Sequence, residues 1–396
     1  MNFKAMVEQR FPQTVAWRRH FHQHPETSWD EHETSDFLAA RLSEMGLAPR
    51  RVSETGLLAD IVGGKPGGTV AMRADIDALP IHEQTGVPYQ SEKPGKMHAC
   101  GHDVHAAMLL AAAAGFVEHR DELPGTVRLI FQPAEETPPP EADQRDETGS
   151  VAMVRGGAMK GVDRVVGLHI FSDVPLGVIG LVPGPILAGS LTFDIAVTGQ
   201  GGHAGMPVGT VDALAVAAHA VVALRSAASL GADPNEPLIL HVGRLWAGDA
   251  RTAVAAEANM EGTIRFVNPE ALDEIRERVT RTVGGVARAF GAAADITFGE
   301  HVNHPVVNDP DTVAALAPLC REIVGEQQVV SGKPGMASED FWAYLHEAPG
   351  AFVLIGGGNP AKGITAGHHS PFFNIDEDGM KTGLEFWLRL GFAGLF

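Results

Sequence analysis

The sequence predicts an α/β protein of two domains: an α/β/α domain on a largely parallel mixed sheet, and an inserted ferredoxin-like α+β module. Three observations carry this. Short β-branched strands alternate with apolar helices in the first half; from Pro185 the order becomes β-α-β-β-α-β; beyond residue 299 the mixed pattern returns. Strands alternating with helices imply parallel pairing, because a parallel connection needs a long crossover, and the second order is that of a split-βαβ module. The expected boundaries are 1–184 and 300–396 for the two parts of the first domain and 185–299 for the insert. At 396 residues the chain is also longer than one hydrophobic core usually supports.

Along the chain, the spacing of Val7, Phe11 and Val15, then of Phe37, Leu38 and Leu42, predicts helices on either side of HFHQHPETSWDEHET. LLADIVGG, GGTVAMRADIDALP, GTVRLIFQPAEE and RVVGLHI read as strands closed by Gly, Pro or Asp, with VHAAMLLAAAAGFVEHR a helix among them. In the insert, SLTFDIAVTGQGGHA, LILHVGRLWAG, ANMEGTIRFV and ADITFGEHV read as strands, DALAVAAHAVVALRSAA and PEALDEIRERVTRTVGGVARAFG as helices. The return brings a helix over 312–324, a GKPGMASED loop, the FWAYL helix, the AFVLIGGG strand and a last helix from about 378 to 390. Residues 137–150, proline-rich and acidic, predict an exposed loop.

The formal charge of −19, from 49 acidic against 30 basic residues, argues against nucleic acid and anionic membranes as partners. The first ten residues mix charges without an apolar run, so a cytoplasmic location is expected. The longest apolar stretch, 106–117, is too short to span a bilayer. Two cysteines, Cys100 and Cys320, do not make a disulfide framework.

Several side chains carry chemistry. Cys100-Gly101-His102-Asp103 precedes an apolar helix; it reads as a thiolate and imidazole turned toward one ion, or as a small apolar Cys, with Asp103 expected to cap the helix in either case. Glu135 and Glu136 follow a strand that Pro133 stops. Two adjacent carboxylates repel unless a cation neutralises one, so they read as a metal ligand beside a free base, or as an exposed acidic strand end. His169 ends a strand and His368-His369 lies in a Gly-flanked turn, where α/β sheets gather their sites. His20, His22, His24 and His32 form a rival source of ligands, better suited to support. In the insert, His203 sits on a Gly-rich loop, and Arg265 on a strand reads as a surface residue or as a fork for a carboxylate.

Together HACGHD, QPAEE, RRHFHQHPET, MRADIDALPIHEQTGVPY, GLHI, GQGGHAGMP, GTIRF, SEDF and HHSPFFNIDE resemble, over essentially the whole chain, the aminoacylase and carboxypeptidase family of two-metal metallohydrolases. The branch resembled contains hippurate hydrolase, N-acyl-amino-acid amidohydrolases and auxin-conjugate hydrolases. The resemblance implies Cys100 as a thiolate in place of a bridging carboxylate, His102, Glu136, His169 and His369 as the other metal ligands, and Glu135 as general base. Asp75 resembles an aspartate standing behind the ligands, and His203 the histidine that in dimers reaches the partner's active site. Thr252 replaces the family's Asn in a lid strand that contacts substrate.

The activity so implied is cleavage of N-acyl-L-amino acids by water activated between two divalent ions, with His203 on the oxyanion and Arg265 on the substrate carboxylate. Zinc suits the donors first; manganese, cobalt and nickel also fit. A homodimer through the lid is implied as well. The rival readings are an N-carbamoyl or ureido amidohydrolase, a dipeptidase on the same scaffold, and a catalytically silent dimeric binding protein.

Overall fold

A computed structural model describes residues 1–136, 147–229 and 236–395. Most of the loop expected over 137–150 therefore lies outside the described residues. The chain divides into two compact units, one of Met1–Ile186, Val307–Lys333 and Asp340–Phe396, the other of Leu187–Val306 and Pro334–Glu339. The second unit extends beyond the expected 185–299 for a local reason. Ser190 and Asn303 exchange backbone hydrogen bonds of 2.7 and 3.0 Å, and the Ala188 N–H donates to the carbonyls of Gly335 and Ala337.

The first unit holds an eight-stranded sheet. Its order is Arg50–Arg51, Leu57–Val62, Pro124–Gln132, Lys65–Asp75, Arg164–Pro175, Gly350–Gly358, Ile179–Gly180 and Val329–Val330. Pro124–Gln132, Lys65–Asp75, Arg164–Pro175 and Gly350–Gly358 run parallel, and antiparallel pairs join them to the strands outside. The largely parallel mixed sheet is thus the one the sequence predicts.

The helix His102–Glu118 is buried on nearly every side, as its run of Ala, Leu and Met requires. It packs against Lys65–Asp75 and under the helices Phe3–Gln23 and Gly379–Ala393. Asp75, Gln132 and the residues just beyond them stand at the carboxyl ends of neighbouring parallel strands, where open α/β sheets place their ligands.

The second unit is a four-stranded antiparallel sheet in the order Leu238–Ala247, Glu257–Phe266, Gly189–Thr198, Ala293–Phe298. Leu191, Phe193, Ile195 and Val197 alternate into its core, where they meet Ile275, Val279, Val283 and Ala287 of the helix Leu272–Ala289. A four-residue spacing along that helix makes one apolar stripe. No helix among the described residues is long and apolar enough to cross a membrane.

Candidate metal centre

Four separate segments of the first unit bring five donors together. Cys100, His102 and His169 form one group whose ligand atoms lie within 4.8 Å of one another; Cys100, Glu136 and His369 form a second. Cys100 belongs to both. Its Sγ is 3.4 Å from His169 Nε2, and His369 Nε2 is 3.1 Å from a Glu136 oxygen. Glu135 stands beside them, its Oε2 3.9 Å from His102 Nε2.

The local fold explains these positions. Gly101 takes φ +94°, which turns the chain from Cys100 into the helix, and a Cβ there would come within 2.8 Å of Ile170. Asp103 does not cap this helix, contrary to expectation: it lies inside the first turn, and its carboxylate accepts from Arg18 Nε at 2.8 Å and pairs with His22 Nδ1 at 2.9 Å. Arg18 is fully buried, so this pair ties the start of the helix to Phe3–Gln23. Burial disfavours both charges, but each holds the other: Asp103 stays well below the usual carboxylate range and Arg18 above its ordinary value.

Two of the three imidazoles, those of His169 and His102, are oriented by the outer nitrogen. His169 Nδ1 hydrogen-bonds the Ile170 carbonyl at 2.8 Å, which turns the Nε2 lone pair toward Cys100. His102 Nδ1 meets the Asp77 carbonyl at 3.0 Å and its carboxylate at 3.1 Å, and the buried His102 Nε2 has no hydrogen-bond partner among the described residues. Asp77, not Asp75, is therefore the carboxylate on the outer nitrogen of His102. Asp75 instead binds His105 Nδ1 at 2.6 Å and Arg73 at 2.5 Å, and His105 Nε2 accepts the Ile170 N–H. Replacing Asp77 by Asn is expected to weaken metal binding about 10–100-fold, measured by competition with a chelator of known affinity.

The electrostatics call for a cation. Burial, then the charges of Glu136 and Glu135, push the Cys100 thiol well above its ordinary range. Burial alone would lower His102, but Asp75 and Asp77 outweigh it and raise it to about 10. A thiol, imidazoles and carboxylates crowded in this way, most of them buried or partly buried, fit divalent cations, which favour the thiolate and the imidazole lone pair together.

The remaining candidates are placed as follows. His368 Nδ1 is 3.5 Å from Cys100 Sγ, but its Nε2 accepts the Ser172 N–H; His369 takes φ +62° and faces Glu136. The rival histidines join no donor group among the described residues: His22 is held by Asp103 and Glu83, and His24 by the His20 carbonyl. In the second unit, the short strand Gly202–His203 pairs with Ala253–Val254, His203 is exposed, and the Thr252 carbonyl accepts the Ala204 N–H. Arg265 Nη1 donates to Ser338 Oγ at 2.7 Å, and burial lowers its pKa. Sequence reasoning missed Asp77 and His105. The signal for Asp77 was a second Asp two residues after Asp75 among apolar neighbours.

A model of peptidase family M20/M25/M40 matches residues 71–391. The N-acyl-L-amino acid amidohydrolase of Geobacillus stearothermophilus is 40% identical over 306 residues, 77% of this chain and 80% of that protein. Thermostable carboxypeptidase 1 of Saccharolobus solfataricus is 36% identical over 371 residues, 92% of this chain and 91% of that protein. Among solved structures, the YXEP protein of Bacillus subtilis, a dinuclear metal binding peptidase, matches with a TM-score of 0.84 at 31% identity, over 98% of this chain and 99% of that one.

Proposed function

We propose, since this chain belongs to peptidase family M20/M25/M40, that it cleaves the amide bond of N-acyl-L-amino acids to a carboxylic acid and a free amino acid. Its relation to the Geobacillus amidohydrolase supports that substrate class, and the chain is a hydrolase of amide bonds. The observation that carries the reading is Cys100, shared by two donor groups and so suited to bridge two cations. Cys100, His102 and His169 would hold one, and Cys100, Glu136 and His369 the other, with zinc the first choice for thiolate and imidazole donors.

When bound, the two cations supply Lewis acidity and lower the pKa of water to about 7. Glu135 lies beside both Cys100 groups, its Oε2 3.9 Å from His102 Nε2, and from there its carboxylate would take the proton of the attacking water and pass it to the leaving amine. Asp77 and the Ile170 carbonyl keep the two imidazoles in the tautomer that this arrangement uses. We assign His203 to the developing oxyanion, with Thr252 on the neighbouring turn as a substrate contact. Arg265 is assigned to the substrate carboxylate: its guanidinium is half-buried and meets a neutral hydroxyl at Ser338, which leaves its charge for an anion.

The second unit is assigned to self-association as a homodimer. Ile239, Leu245 and Trp246 on its outer strand and Val222 on the adjacent helix are exposed apolar side chains. The cytoplasm is the proposed location, since a reducing compartment preserves the Cys100 thiol.

A panel of N-acetyl, N-benzoyl and N-carbamoyl amino acids and dipeptides, read with metal content on the same preparation, tests the proposal. Hydrolysis of the N-acetyl or N-benzoyl substrates by protein carrying two divalent ions is the expected result. A preparation that binds no divalent metal overturns it, and turnover of the N-carbamoyl substrates alone moves it to the ureido class.

A further inference from the structure

We infer that Glu31 is a positioning residue for the Glu135–Glu136 turn, acting on the reaction through the backbone of Ala134. The inference rests on the reading of Glu135 as base. Glu31 directly precedes the helix His32–Glu44 and is fully buried, yet it forms no ion pair among the described residues. Three donors satisfy its carboxylate instead: the Trp29 N–H at 3.0 Å, the Ala134 N–H at 2.8 Å and the Thr55 hydroxyl at 2.7 Å. A buried carboxylate without a cation is costly to keep, and a hydrophobic residue of similar volume would fill the space more cheaply. What such a residue could not do is accept the Ala134 N–H.

Ala134 is the point of leverage. It takes φ +47°, a left-handed conformation that an L-residue adopts only when its surroundings impose it. The surroundings here are specific. Its N–H goes to Glu31, its carbonyl accepts the Gly149 N–H at 3.0 Å, and its methyl packs with Trp29 and Ala152. Gly149 fits because a Cβ at that position would strike the Pro133 carbonyl at 1.6 Å. On the far side of Glu135, the Glu136 N–H donates to Asp77 at 2.9 Å and the Glu136 carbonyl accepts the Ser28 hydroxyl. Glu135 is thus suspended between two clamped residues, and the clamps are the buried carboxylates Glu31 and Asp77. Removing the Glu31 acceptor strands a buried N–H and frees the left-handed residue to relax. The carboxylate of Glu135 then moves, while groups that bind substrate elsewhere stay in place.

The test uses the full-length, metal-loaded protein and a substrate from the panel above. Glu31→Leu is expected to lower kcat about 100-fold, with KM within about twofold, because a misplacement near 1 Å costs that much. Glu31→Gln keeps an oxygen for Ala134 and Trp29 while the Thr55 hydroxyl turns to accept, so kcat should recover to within about threefold of wild type. In a Glu135→Ala background, Glu31→Leu should cost less than about threefold more, since the group it positions is gone. A Glu31→Leu enzyme with wild-type kcat, a Glu31→Gln enzyme as impaired as Glu31→Leu, or a full penalty in the Glu135→Ala background each overturns the inference. Should Glu31→Leu not fold, Thr55→Val removes one of the three donors; it should lower kcat about tenfold at constant KM, and an unchanged kcat overturns the inference. Wild-type activity in Glu135→Ala itself overturns instead the reading of Glu135 as base.

Discussion

Glu135→Ala is expected to lower kcat about 1,000-fold while leaving metal content and KM near their wild-type values, within the range of a lost general base. The expectation follows from position. Glu135 lies beside His102, with its Oε2 3.9 Å from Nε2, but outside the two groups that share Cys100. Truncation should remove the proton carrier and leave the five donors Cys100, His102, Glu136, His169 and His369 in place. Glu135→Gln should behave like the alanine variant, because an amide of the same shape cannot take a proton at neutral pH. Steady-state kinetics with metal analysis of the same sample decide the matter. Loss of a cation along with the activity would make Glu135 a ligand, and wild-type turnover would remove it from the reaction.

Cys100→Ala should act on the cations first. Each donor group consists of three residues, and Cys100 is in both, so its loss leaves His102 with His169 and Glu136 with His369. Within the two groups that share Cys100, removing any other donor would weaken one; this substitution weakens both at once. Affinity for divalent metal is expected to fall more than about 100-fold at both positions, with hydrolysis lost in parallel at limiting metal. Cys100→Asp should recover much of the binding, since a carboxylate can also join two ions. Isothermal titration of metal-free protein counts the sites directly. Clean loss of one site with the other intact would show that Cys100 does not bridge.

Much of this arrangement is legible in the sequence because the donors sit in short, distinctive runs. Cys100 and His102 flank a glycine, Glu135 and Glu136 follow a strand-stopping proline, and His369 directly precedes Ser-Pro. The parallel core is legible for a similar reason: strands buried on both faces are continuously apolar, as in RVVGLHI. The supports are not legible. Arg18 stands in a run of charged residues that suggests surface, yet it is fully buried because Asp103 and His22 converge on the same point from distant segments. Asp103 looks like a helix cap because Asp commonly caps helices; the Gly101 turn starts the helix two residues earlier and puts Asp103 inside it. Asp75 and Asp77 differ only in which way the chain turns after the strand ends at Asp75, and no local pattern encodes that turn. Glu31 reads as one more acid in HPETSWDEHET until its three backbone and hydroxyl donors are seen.

The strand order of the first unit also constrains how the chain is made. Gly350–Gly358 lies directly against Arg164–Pro175 in the middle of the sheet, although the whole second unit is encoded between them. At ribosomal rates of about 5–20 residues per second, Arg164–Pro175 waits on the order of 10–40 s for that neighbour. Throughout that interval an apolar strand edge is open to misplaced partners, while the inserted unit has already had time to fold. His369 emerges later still, so the nascent chain cannot complete its donor set until after that middle strand has been made. Limited proteolysis of chains truncated before residue 350 reads this directly: if the sheet is already protected there, the order of assembly is different.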